Sequence, residues 1–235
     1  MAIIYRCQIE LHDSLYYATR EIGRLYETEP IIHNYALCYA LGLVDSQIYS
    51  TTVAEEHSYR YFCPEQVPKY EEHLTRLNQQ GIYVTPARSI NHIAILNTWK
   101  YANNNYHVEM EKTQKNIPSF GRAKEIAAES KFEFFVISDN QLKLAKWIRL
   151  GKWMSKAEVI VEELPKHKTV EGIFTCTYPL NPLDVMFTNQ VISYDVINMP
   201  PVSLIKNVQM RGQYYQLDKI QELKIPARME YCFKN

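Results

Sequence analysis

The chain has 235 residues, 26 basic and 26 acidic, so its formal net charge at pH 7 is zero. With 46% hydrophobic and 22% charged residues it has the composition of an ordinary globular protein able to bury a full core, not of a disordered or uniformly basic one. No apolar run approaches the roughly 18 residues of a membrane span, and neutrality does not exclude nucleic acid: any basic surface is balanced by acids elsewhere or by a large assembly around it.

Tyr5, Cys7, Ile9 and Leu11 alternate with Arg6, Gln8, Glu10 and His12, the pattern of a half-buried strand. The chain opens directly on this strand, so no signal peptide is expected. A polar loop is predicted over 13–29, carrying Arg20 and Arg24. Thr28-Glu29-Pro30 predicts a helix start, with Gly42 as its stop and apolar residues on nearly every face. Val67, Tyr70, Leu74 and Leu77 have helical spacing, and Gly81 ends that second helix.

IYVTPA (82–87), HIAIL (92–96), KFEFFVIS (131–138) and AEVIVEEL (157–164) read as strands. Between them, residues 97–122 hold three consecutive asparagines and scattered lysines, which predicts a projecting hairpin or loop. QLKLAK (141–146) reads as a short helix and WIRLG (147–151) as a strand end with a turn. Beyond Pro165 prolines punctuate short alternating runs, which predicts a β-rich extension over 166–235 packed on a core of residues 1–165. The order strand, helix, strand, strand, short helix, strand predicts an α+β, ferredoxin-like core. That fold alone assigns no function.

The five cysteines (Cys7, Cys38, Cys63, Cys176, Cys232) are dispersed and contain no C-x-x-C pair, as expected of a reducing, cytoplasmic setting. The sequence contains no P-loop, dinucleotide fingerprint, H-E-x-x-H, zinc-spaced Cys/His cluster or G-x-S-x-G elbow. No cofactor and no metal is therefore expected. His33, beside Asn34 and Tyr35, is the one group considered as a general base, and a packed or capping histidine is the favoured reading. Phe132, Phe134 and Phe135 resemble the stacking strand of an RNA-recognition motif, but a buried strand explains them more simply.

The informative stretch is WIRLGKWMSK (147–156). From Lys143 just before it to Lys156 at its end, the five cations Lys143, Lys146, Arg149, Lys152 and Lys156 gather without an intervening acid. Gly151 would cost a helix about 1 kcal/mol, and i,i+4 acids are missing. The solvated face of a helix therefore competes with a glycine turn that lets a phosphate approach.

LGKWMSKA (150–157) resembles the glycine-plus-basic motif of the five-prime-handle-binding subunits in CRISPR surveillance complexes, members of the RAMP superfamily. REIGRLYETEPIIHNYALCYALGL (20–43) resembles that group's first loop and helix. NPLDV (181–185) is similar to its type I-D branch, the Csc-one, or Cas-five-type, family. The resemblance implies a ferredoxin-like RAMP core with a hairpin "thumb". It also implies a non-catalytic subunit that caps the foot of the complex and grips the 5′ handle of the crRNA. Its implied neighbours are a backbone RAMP subunit, the large subunit and target DNA near the PAM, with no membrane.

On that reading Arg149, Lys152 and Lys156 hold phosphates, Gly151 permits their approach and Trp153 stacks or wedges. Arg20, Arg24, His33 and Asn34 make a second patch, and Lys100, Lys112, Lys115 and Arg122 are thumb contacts. The competing readings are a metal-independent endoribonuclease that matures precursor crRNA, and a protein-interaction module without nucleic-acid contact.

Overall fold

The computed structural model describes residues 2–44, 69–101, 119–164, 167–217 and 223–233. Their elements in chain order begin β1 (Ile3–Leu11), β2 (Arg20–Ile22), β3 (Leu25–Glu27), β4 (Ile31–Ile32), α1 (Asn34–Ala40) and α2 (Tyr70–Gln79). There follow β5 (Ile82–Val84), β6 (Ala87–Asn91), β7 (Ala94–Tyr101), β8 (Ser119–Ile126), β9 (Lys131–Ser138), β10 (Trp147–Leu150) and β11 (Ser155–Leu164). The last third supplies β12 (His167–Cys176), α3 (Pro182–Val185), β13 (Gln190–Ile197), β14 (Leu204–Leu217) and β15 (Lys224–Pro226). None of the helices among the described residues is long and apolar enough to cross a membrane.

The main sheet has seven strands in the order β10-β11-β1-β9-β6-β4, with β5 also paired to β9. Every neighbouring pair is antiparallel. β5 and β6 follow one another along a single edge of β9. Pro86 between them has no N–H to give. Thr85 bridges the gap: its N–H donates to Phe135 O (2.9 Å), and its hydroxyl accepts from Phe135 N–H (2.9 Å). α1 packs on β5 and β10, and α2 on β5 and α1. KFEFFVIS is core on both faces, with Phe132, Phe134, Phe135 and Val136 fully buried and the Tyr178 ring 5.0 Å from Phe135.

Several local expectations are corrected. α1 begins at Asn34, not at Pro30, because Ile31 and Ile32 pair as strand with Arg88 and Ala87. His33 caps the helix by accepting the Tyr35 N–H at Nδ1 (3.2 Å). QLKLAK forms no helix: Leu142 and Leu144 turn inward while Lys143 stays exposed, the two-residue period of extended chain. The Leu142 N–H donates to the Tyr5 hydroxyl (2.9 Å).

The predicted polar loop over 13–29 contains the β2–β3 hairpin. β3 joins β8 in parallel, giving a second sheet ordered β2-β3-β8-β7. The β7–β8 hairpin is wider than predicted, with Ala94 paired to Ile126. The last third forms a third sheet, β12-β14-β13 with β15 beside β14, as its alternating runs suggest.

The third sheet is joined to the first through buried polar groups. Asp184, in the NPLDV helix α3, accepts hydrogen bonds from Tyr83 OH (2.8 Å) and Asn34 Nδ2 (2.9 Å). The Tyr178 hydroxyl bonds Glu133, whose other partners are Arg6 and Arg88. Burial pushes Glu133 up, but Tyr178, Arg6 and Arg88 outweigh it and hold the carboxyl below its ordinary value. Cys7, Cys38 and Cys176 are buried free thiols pushed up to about 12 by desolvation, consistent with small apolar packing.

Burial raises Asp184 from 3.8 to about 7, despite the hydrogen bonds from Tyr83 and Asn34. The folded state thus holds this proton more tightly than the unfolded one. The associated stability is fully present below pH 3.8 and is lost as pH rises through about 7. At 1.36 kcal/mol per unit the loss is about 4 kcal/mol. Urea unfolding of the wild type against Asp184→Asn should show the wild type losing ground across that window. Parallel pH profiles would contradict the assignment.

Candidate nucleic-acid interface

β10 and β11 are joined by a tight turn over Gly151–Met154, with positive φ at Gly151 (73°) and Met154 (55°). Strand alternation puts Ile148 and Leu150 inside and leaves Trp147 and Arg149 outside. The turn is fastened to the segment after β1. Lys152 N–H donates to Tyr16 O (2.9 Å), Ser155 OH to Ser14 O (2.6 Å), and Lys156 N–H to Asp13 Oδ2 (2.9 Å). A Cβ on Gly151 would lie 2.6 Å from Tyr16 O and 2.9 Å from Leu15 Cδ1. The glycine is therefore required by the approach of residues 15–16. This internal packing adds a structural role to the expected one of admitting a phosphate. Burial pushes the Tyr17 phenol up to about 12, with a hydrogen bond from the Gly151 backbone opposing it.

Acids do reach the basic cluster, from adjoining segments. Lys146 pairs with Glu158 (3.2 Å), and Arg149 lies 4.0 Å from Asp13. Arg149 Nη1 also donates to Met154 O (3.0 Å), closing the turn. Lys156 Nζ sits 4.1 Å from the centre of the Trp147 ring, a cation–π contact. Lys152 is exposed at the crest of the turn.

Three depressions meet around this turn. The largest, 780 Å³, is bordered by Arg24, Tyr26, Trp99, Arg122, Lys152 and Trp153. A second, 560 Å³, is bordered by Tyr17, Ala36, Trp147, Arg149, Gly151 and Lys156. A third, 240 Å³, shares Tyr17 and Ala36 with the second and Lys152 with the first. Together they make a track on both sides of Lys152. Trp153, 44% exposed, stands edge-on to Trp99 (4.8 Å between ring centres) and against Tyr16 (5.1 Å). It wedges the turn against the β7–β8 hairpin, outside the core. By strand alternation Arg122 belongs with its register neighbours Leu25 and Thr98 on the opposite face of β8 from Gly121 and Ala123, and it meets the cleft at the rim.

The second predicted patch does not assemble. Arg20 is engaged by Glu27 (2.9 Å) and Glu29 (2.6 Å). His33 is 4% exposed and Asn34 0%, so neither can meet a ligand at the surface. His33 Nε2 bonds Val202 O (3.2 Å), and burial lowers the imidazole to about 4, leaving it neutral at pH 7. Asn34 belongs to the Asp184 network. Arg24 alone of that patch reaches the cleft. Lys100 lies in β7, and Lys112 and Lys115 lie outside the described residues. Tyr26, Trp99 and Phe120 border the large cleft and were not anticipated. They come from three strands with no shared motif, so only the sheet pairing reveals them. Among the described residues no group of three or more His, Cys, Asp and Glu side chains could hold a metal ion.

Among known proteins, the model of the family described as "Type I-D CRISPR-associated protein Cas5/Csc1" matches residues 2–234. No curated protein matches the chain. Among solved structures, a CRISPR protein from Archaeoglobus fulgidus is similar over 98% of this chain and 100% of its own, at 13% identity and a TM-score of 0.47. A chain of the Type III-B Cmr-beta bound to cognate target RNA is similar over 69% of this chain, at 14% identity and a TM-score of 0.41; this chain spans 60% of its length. Another, from Cmr-beta with cognate target RNA and AMPPnP, gives 9% identity, a TM-score of 0.42 and coverage of 88% and 86%. The family match extends over nearly every residue, and the chain belongs to the type I-D CRISPR-associated Cas5/Csc1 family.

Proposed function

We propose that this protein is a non-catalytic subunit of a type I-D CRISPR effector complex that grips the 5′ handle of the crRNA through the face around the Gly151 turn. One observation carries the reading. Lys152 and Trp153 of the turn, Arg24 of the β2–β3 hairpin and Arg122 of β8 border one cleft that aromatic rings also line. Cations beside stacking surfaces are what a single strand requires, charge for the backbone and rings for unpaired bases. Arg149 and Lys156 extend the track on the far side of Lys152.

The central strands support a ferredoxin-like core. β11, β1, β9 and the β5–β6 edge run antiparallel in the order fourth, first, third, second, with the second crossover helix replaced by extended chain. In the family's implied role the β7–β8 hairpin acts as the thumb over the guide. The subunit then caps the foot of the complex between a backbone RAMP subunit and the large subunit, supporting recognition of target DNA near the PAM.

The absence of cleavage is supported by His33, whose two ring nitrogens are engaged inside the fold. Precursor crRNA incubated with the full chain in EDTA should migrate as a retarded, full-length species. Specific fragments would favour the endoribonuclease. Unretarded RNA at low salt would favour a pure protein-interaction module.

A further inference from the structure

The third sheet ends on an open edge. β13 pairs with β14 on one side, and among the described residues no strand pairs with its other side. Eight residues long, β13 presents a row of backbone N–H and C=O groups along that edge. Its side chains do not guard it. Residues 190–197 contain no proline, lysine or arginine, and Ile192, Tyr194 and Val196, at every second position, are 50%, 45% and 57% exposed. Their one charged residue, Asp195, accepts a hydrogen bond from Asn207 Nδ2 (2.7 Å). The register against β14 shifts between Val191 and Ser193 and again between Ser193 and Asp195. The two shifts cancel, so Asp195 to Ile197 return to the register of Gln190 and Val191. The sheet's other edge strand, β12, exposes the charges of Lys168 and Glu171. Isoleucine, tyrosine and valine favour strands, and an open edge of them without charged guards is a site for pairing with another chain.

We propose that one extended, uncharged and apolar strand of a sister subunit completes this edge in the assembled effector complex, added beside β13 through main-chain hydrogen bonds. This pairing shares with the function proposed above only the complex itself, and the RNA grip is not required for it. A nucleic acid is a poor occupant, because β13 has no cation for a phosphate and carries an acid. A second copy of this chain is a poor one too. Eight residues make a strip roughly 27 Å long and 10 Å high, about 270 Å² on each chain. The two strips together fall below half of the roughly 1,200 Å² that a stable interface needs. A sister subunit already held elsewhere in the complex needs no more than the strand. Ile192, Tyr194 and Val196 then select apolar side chains at alternate positions of the added strand by cross-strand contact.

Amide hydrogen exchange of the full chain, alone and in the assembled complex, tests this. Residues 191–197 should exchange at least about tenfold more slowly in the complex, with the gain at alternate residues, because the amides on the inner edge already face β14. Unchanged exchange, or a gain without that alternation, overturns the proposal. Ile192→Lys with Val196→Lys, both at exposed positions, should lower association with the complex at least about tenfold. The melt of this variant and the affinity of the isolated variant chain for guide RNA should match the wild type. Normal assembly of the variant overturns the proposal. The exchange comparison uses wild-type protein, so it stands even if the variant fails to fold. A free chain that sediments as a dimer with β13 already protected makes a second copy the occupant, and the proposal is then wrong. Protection of β13 by guide RNA alone is equally fatal to it. A chain that joins the complex with β13 protected but binds no RNA refutes the grip and leaves this pairing standing.

Discussion

Changing Arg24, Arg122 and Lys152 together to glutamate is expected to lower affinity for single-stranded guide RNA by at least about a hundredfold at physiological salt, with the fold unchanged. All three residues are exposed and border one cleft from three separate segments. Hydrogen bonds to charged groups contribute roughly 1.5–3 kcal/mol each, so three lost contacts exceed a hundredfold even after losses in additivity. Each phosphate neutralised on a single strand contributes about −0.7 to the slope of log K against log salt. The variant's slope should therefore be shallower by roughly 2. Anisotropy titrations at several salt concentrations read both quantities, and an unchanged thermal melt excludes unfolding. Arg149 and Lys156 are poorer choices for such reversal. Arg149 closes the turn on Met154 O, and Lys156 covers Trp147, so changing them perturbs the scaffold as well.

Gly151→Ala should destabilise the protein by about 2–4 kcal/mol. A non-glycine residue at φ 73° carries strain of roughly 1–3 kcal/mol. The added methyl also meets Tyr16 O at 2.6 Å, a backbone atom held by the Lys152 N–H. For a chain of this size that corresponds to a fall in melting temperature of roughly 5–15 °C. RNA binding should weaken too, because Lys152 and Trp153 follow directly on the displaced glycine. Lys152→Ala supplies the contrast, with reduced binding and an unshifted melt. A Gly151→Ala protein that melts like the wild type would show that the turn relaxes freely and that its packing on residues 15–16 is incidental.

Sequence patterning revealed those parts of the fold in which one strand or helix carries its own signal. β1 alternates cleanly, β9 is rich in aromatic and branched apolar residues, and Gly42 and Gly81 end helices with positive φ. The turn at Gly151 was legible for the same reason, since glycine and clustered charge argue against a helix. What patterning missed depends on partners far away in sequence. Ile31 and Ile32 are helix-compatible until β6 claims them. Leu142 and Leu144 fit a helix or an extended chain until their environment is known. The basic cluster looked free of acids because Asp13 and Glu158 belong to neighbouring segments. His33 and Asn34 have the right chemistry for RNA but lie on the inward side of α1, a distinction that an apolar-all-round helix conceals. The cleft itself joins Tyr26, Trp99 and Phe120 through the parallel β3–β8 pairing, which no local motif encodes.

Ultraviolet crosslinking of guide RNA within the assembled effector complex, followed by peptide mapping, tests most directly whether this face holds the RNA. Crosslinks are expected on this subunit at the rings beside the turn, led by Trp153 and Trp99 and joined by Tyr26 or Phe120. Crosslinks confined to the exposed strand β13, or none on this subunit in a guide-loaded complex, would contradict it.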